Sequence, residues 1–99
     1  MPDKPLEVRW LKRAAASLER EADFIARDDP AAAERAVLAI VRTVERLAQQ
    51  PALGRTGRVS GTRELVVPGT PYIVPYRVRE GRVEGLHVFH AARRWPVGL

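Results

Sequence analysis

Two histidines, His87 and His90, stand three residues apart near the end of a 99-residue chain, in a second half that carries eight arginines. An imidazole titrates near neutral pH, which makes His90 the best single candidate for moving a proton. Guanidinium groups hold phosphate or carboxylate in planar, two-pronged contacts. Residues 51–99 contain Arg55, Arg58, Arg63, Arg77, Arg79, Arg82, Arg93 and Arg94, no lysine, and only Glu64, Glu80 and Glu84 as acids. Residues 1–50 balance nine basic against nine acidic side chains, so the net charge of +5 belongs entirely to the second half. A neutral scaffold followed by a basic working surface points to an anionic partner: nucleic acid, a nucleic-acid machine or an acidic protein segment. The chain has no cysteine, which excludes disulfide and thiol chemistry. His87 and His90, three apart on one strand, face opposite ways and make no metal site. No metal and no cofactor is expected.

The elements that must position these side chains follow from periodicity. Leu6 to Trp10 alternates apolar and charged residues, as a half-buried strand does. From Leu11 the period becomes helical: Leu11, Ala14, Ala15, Leu18, Ala22 and Ile25 share a stripe. Asp28-Asp29-Pro30 interrupts it, with Asp29 suited to cap a second helix and Pro30 to open it. Ala33, Val37, Ile40, Val41, Val44, Leu47 and Ala48 form the next stripe, and Pro51 stops that helix. Both stripes read as core, and the short break makes an antiparallel helical hairpin. Gly54 to Arg58 reads as a flexible basic loop. Arg63–Val67, Pro71–Arg79 and Arg82–His90 are rich in β-branched and aromatic residues and read as strands. One domain, residues 1–99, is expected. The N-terminus has no apolar run of the kind a signal peptide needs, and a cytoplasmic location is expected.

Glu80-Gly81 has the form of a two-residue hairpin turn. The register it sets opposes Arg77 to Glu84, Val78 to Val83, Tyr76 to Gly85, Val74 to His87 and Tyr72 to Phe89. Tyr72, Val74, Tyr76, Val78, Val83 and Phe89 then share the core face, with His87 hydrogen-bonded and buried beside them. Gly85 would leave room for the Tyr76 ring. Ile73, Pro75, Arg77, Glu84, Leu86, Val88 and His90 share the open face. Arg77 with Glu84 reads as a cross-strand ion pair. Pro75 lacks an amide donor and requires an edge or a bulge on that side of its strand. Arg55 and Arg58 in the loop, and Arg93 and Arg94 with Trp95 in the tail, have no neutralising neighbour in sequence and are the expected partner contacts. As aromatic surfaces, Trp10 and Trp95 read as packing residues.

Four segments in this order and spacing resemble the RelE/ParE family of bacterial toxins: Pro51-Ala52-Leu53-Gly54-Arg55, Gly61 to Val67, Pro71 to Val78, and Val88 to Pro96. The resemblance spans nearly the whole chain. It implies an α+β fold of order β-α-α-β-β-β, a helical hairpin packed on a small, mainly antiparallel sheet. It also implies the toxic half of a type II toxin–antitoxin module, silenced by a cognate antitoxin. RelE-like members cut messenger RNA on the ribosome, and ParE-like members poison DNA gyrase. RelE-like toxins place two basic residues on the strand matching Arg63–Val67 and an arginine after the aromatic matching Tyr72. Here those positions are Glu64, Val66 and Ile73. Three cations are missing where a scissile phosphate would lie, which favours the ParE-like branch and a binding toxin over an enzyme. The alternative is a ribosome-dependent endoribonuclease with Glu64 as base, His90 as acid and Arg77 or Arg93 as phosphate clamp.

Overall fold

The corner of the helical hairpin is built from the capping chemistry of its two central residues. In the computed structural model, which describes residues 4–93, the Asp29 side chain accepts from the Ala32 amide at 3.1 Å and Pro30 opens the helix. Helix α1 is Lys12–Ala26 and α2 is Pro30–Glu45, extended by a short 3-10 turn at Arg46–Ala48. The strands are β1 Glu7–Trp10, β2 Arg55–Thr56, β3 Arg63–Val66, β4 Tyr72–Arg79, β5 Arg82–Gly85 and β6 Phe89–His90. They form one sheet in the order β1-β5-β4-β3-β2, with β6 pairing to the start of β4. β1 runs parallel to β5 and every other pairing is antiparallel. The expected α+β architecture, a helical hairpin on a mainly antiparallel sheet, is present. Two details differ: Arg55–Thr56 is a strand, and the last expected strand is divided into β5 and β6.

The core lies between α2 and one face of the sheet. Ile40, Val44 and Leu47 pack on Leu65, Val67, Tyr72, Val74, Tyr76, Val83 and Val88. Side chains two apart on a strand share a face, so Glu64, Val66, Ile73, Pro75, Arg77 and Glu84 occupy the other one. Helix α1 contributes less: only Ala14 and Ser17 of it are buried, while Leu18, Ala22 and Ile25 are half-buried and Ala15 is exposed. Trp10 packs against the core, as expected.

The Glu80-Gly81 turn adopts positive φ at both residues, 52° and 74°, as a type I′ hairpin requires. The register it dictates holds from Arg79↔Arg82 to Tyr76↔Gly85, and Leu86 still donates to the Pro75 carbonyl. Beyond that point it slips by one. Tyr72 pairs with His90 and Ile73 with Phe89, not Tyr72 with Phe89 as the turn alone predicts. An extra residue in Leu86–Val88 forms a bulge, and a one-residue slip exchanges the faces. Val88 therefore enters the core, Phe89 joins Ile73 on the outer face, and His90 moves to the helix side. Pro75 explains where the slip falls. Its carbonyl bonds toward β5, so the side of the strand on which an amide donor is missing faces the bulge. The Val88 amide released by the bulge donates to the Ser17 hydroxyl at 2.8 Å, and that hydroxyl donates to the Ala14 carbonyl.

One smaller expectation is corrected. The space above Gly85 is bounded by Trp10 and the Arg9 carbonyl. It is Gly54 that meets the Tyr76 ring: the Tyr76 hydroxyl accepts from the Gly54 amide at 2.8 Å and donates to the Pro51 carbonyl at 2.7 Å. Among the described residues no helix is long and apolar enough to cross a membrane.

Candidate functional site

Arg55, Arg58, Arg77, Arg79 and Arg93 converge on carboxylates that are buried or half-buried. Glu64, only 3% exposed, accepts from the Arg55 guanidinium at 3.2 Å and from the Arg58 backbone amide at 2.9 Å. It also accepts two further bonds from the Arg58 guanidinium, at 3.1 and 3.2 Å. Burial alone would raise the Glu64 pKa, but the bonds from Arg58 and Arg55 together outweigh it and hold the carboxyl below its usual range. Arg58 also lies over the Phe89 ring, 5.6 Å from its centroid. The Gly54–Arg58 segment is thus a fixed strand and clamp rather than a flexible loop. Gly57 seals it, since its amide donates to the Thr62 carbonyl and a Cβ there would collide with Thr62.

Glu84 repeats the pattern across β4 and β5. Arg77 donates to it at 2.6 Å, the expected cross-strand pair, and Arg79 stands 3.0 Å away. The Arg77 bond, with Arg79 adding, lowers the Glu84 pKa against the effect of burial. Arg63 donates to the Gly54 carbonyl at 2.8 Å, and Arg82 pairs with Glu80. Arg93 reaches helix α1, where it meets both oxygens of Glu21 at 2.7 and 2.8 Å and covers the Phe24 ring at 5.1 Å. Tyr72 donates to the same Glu21 at 3.2 Å. Every arginine of the second half within the described residues therefore has a partner inside the chain. Arg55, Arg58 and Arg93, which have no neutralising neighbour beside them in sequence, thus find one in space, in Glu64 and Glu21. Arg94 and Trp95 lie outside the described residues.

The four side chains of the nuclease alternative are not brought together. Glu64 and Arg77 lie on the outer face of the sheet. His90 lies on the helix side, edge-on to Tyr72 at 5.6 Å between centroids, with its Nδ1 accepting from the Ala92 amide. Arg93 is on that side too, held by Glu21. His90 is thus not on the open face, and the bulge is the reason. His87 is buried as expected, but its Nδ1 has no hydrogen-bond partner among the described residues. Burial, followed by the Arg13 and Arg20 charges on α1, pushes its pKa down, with Glu21 opposing. No group of His, Cys, Asp and Glu among the described residues could hold a metal ion.

Sequence reasoning missed Ser17 and Glu21. Ser17 sits three residues after Ala14 on the buried side of α1, and an isolated hydroxyl there signals a buried acceptor or donor to satisfy. Glu21 has no local signal, because its partners are 51 and 72 residues away.

A helical hairpin on a mixed sheet, with an arginine-rich last half wound around internal carboxylates, has clear relatives. The pattern of the ParE toxin of type II toxin–antitoxin systems, parDE, matches residues 8–95. The chain belongs to that family. Y4kP of Sinorhizobium fredii is 47% identical over 89 residues, covering 90% of this chain and 92% of the relative. Toxin RelE2 of Caulobacter vibrioides is 36% identical, covering 88% of this chain and 97% of the relative. Among solved structures, the chromosomal ParDE system of P. aeruginosa superposes with a TM-score of 0.78 at 30% identity, covering 86% of this chain and 95% of that one. The toxin–antitoxin complex RelBE2 of Mycobacterium tuberculosis gives 0.68 at 26%, covering 93% and 98%. The fold and family implied by the four sequence segments are therefore shown.

Proposed function

We propose that this toxin arrests growth by poisoning DNA gyrase as a binding protein, and that a cognate antitoxin silences it. Family membership supports the toxin role, and both structural relatives come from toxin–antitoxin systems. The observation that favours gyrase over RNA cleavage is the division of the candidate catalytic set between the two faces of the sheet. Cleavage at a 2′-hydroxyl needs a base, an acid and a cation around one phosphate. Here Glu64 is buried beneath two arginines and His90 is on the opposite side. The positions Glu64, Val66 and Ile73 add no cation.

Purified toxin added to gyrase and relaxed plasmid is expected to block supercoiling at up to equimolar ratio. Full supercoiling in the presence of excess folded toxin overturns this reading. Codon-phased cuts in translated messages, lost in His90→Ala, would establish the nuclease in its place.

A further inference from the structure

Glu21 and Phe24 stand three residues apart on α1 and share one side of the helix. Together they grip the chain after its last strand. One amino group of Arg93 meets both Glu21 oxygens, at 2.7 and 2.8 Å, and the guanidinium lies 5.1 Å from the centre of the Phe24 ring. Phe24 is 55% exposed, and Arg27 lies over the same ring at 6.0 Å. The backbone is held as well. The Ala91 amide donates to the Pro71 carbonyl at 2.7 Å, the Ala92 amide to His90 Nδ1 at 3.2 Å and the Arg93 amide to the His90 carbonyl at 2.9 Å. Yet residues 91–93 are exposed and add nothing to the core. Chain ends are poorly ordered unless something ties them down. Here the tie is a charged side chain against a carboxylate and a ring, not burial. Such a pair, 44% exposed on the arginine, adds little to stability. What it fixes is position.

We infer that Glu21 is a positioning residue of this toxin: by holding Arg93 it sets the point from which Arg94 and Trp95 meet the target. Those two residues follow Arg93 directly in sequence and are the expected partner contacts. A long side chain that is ordered only on binding costs affinity, and an anchor already in place removes part of that cost. Arg93 acts through Glu21 and not by touching the target itself. Glu21 has a second partner, the Tyr72 hydroxyl at 3.2 Å, which belongs to a side chain of the core and can be removed separately. The inference rests on the toxin role proposed above and on Arg94 and Trp95 as contacts, but not on gyrase as the target.

The test induces the full chain in cells without antitoxin and counts surviving colonies at matched amounts of soluble protein. Glu21→Lys turns the attraction for Arg93 into repulsion. It is expected to raise the colony count about tenfold or more over wild type, while the thermal midpoint of the purified protein moves by no more than about 8 °C. Arg93→Glu alone is expected to behave in the same way. The exchanged pair, Glu21→Lys with Arg93→Glu, restores the attraction and is expected to restore growth arrest. Tyr72→Phe removes the other partner of Glu21 and is expected to arrest growth like wild type. Arrest by Glu21→Lys equal to wild type, or no arrest by wild type itself, overturns the inference. So does an exchanged pair that stays inactive, which makes Arg93 a direct contact. Loss of arrest in Tyr72→Phe, or a larger fall in the midpoint of Glu21→Lys, makes Glu21 a residue of the fold and overturns it too. The gyrase reading fails separately: growth arrest by wild type with full supercoiling at excess toxin removes gyrase, and the colony counts of the variants still decide the role of Glu21.

Discussion

Glu64 illustrates how burial decides what a side chain can do. A carboxylate on a strand beside two arginines could be a surface acid, a general base or the centre of a clamp. At 3% exposure, with four accepted hydrogen bonds, it is the centre of a clamp. Glu64→Gln retains the shape but loses the charge on which Arg55 and Arg58 converge. It is expected to destabilise the fold by about 2 kcal/mol or more, read as a lower midpoint in urea unfolding with an unchanged slope. Arg55→Gln, which removes one bond of four from a half-exposed partner, is expected to cost less. Equal midpoints for wild type and Glu64→Gln would contradict the clamp. The identity of Glu64 as a residue of interest was legible in the sequence, but its burial was not. Burial depends on β2 and on the turn back through Thr62, and the glycines there read locally as flexibility. Arg77 with Glu84 was legible because a short hairpin with a definite turn type placed them opposite each other.

At the scale of elements, the informative failure is the end of the last hairpin. The Glu80-Gly81 turn propagates its register for as long as every residue can bond across the strands, and Pro75 interrupts that condition. Past the interruption, helix α1 sets the path of the chain through Ser17. Its hydroxyl satisfies the Val88 amide that the bulge leaves without a strand partner. Ser17→Ala leaves that buried amide unsatisfied and is expected to cost about 1–3 kcal/mol, with faster hydrogen exchange at Val88 than at Val83. If exchange at Val88 is unaltered and the midpoint does not move, the serine does not hold the bulge. The helices were legible almost entirely, because a 3.6-residue period and a capped corner are local signals. The bulge was not, because it is decided jointly by a proline on one strand and a serine 71 residues before Val88. That single slip carried His90 across the sheet and with it the coherence of the nuclease set.

For the whole molecule, charge is organised by where the acids are buried rather than by where the arginines occur in sequence. This organisation predicts a stability profile with two acid-sensitive steps. His87 is buried, and burial followed by the Arg13 and Arg20 charges holds its folded pKa below the ordinary 6.5. As pH falls through 6.5 the unfolded chain takes up that proton first, so stability declines from there downward. Glu64 and Glu84 have folded pKa values below the ordinary 4.5. Their contribution is complete above 4.5 and is lost as pH falls below it toward the folded values, again because the unfolded chain binds protons first. Thermal unfolding followed across the acid range is therefore expected to give a plateau above neutrality, a shallow decline beginning near 6.5 and a steeper one beginning near 4.5. The steps separate by substitution. His87→Leu replaces an imidazole whose Nδ1 has no partner with an apolar group. It is expected to leave stability at neutral pH nearly unchanged while flattening the upper decline. Glu64→Gln is expected to lower the plateau and shrink the lower step, with Glu84 sustaining the remainder. A profile with no dependence between pH 6.5 and 4.5, or one that rises toward acid, would show that neither the buried histidine nor the arginine-wrapped carboxylates govern how this toxin responds to protons.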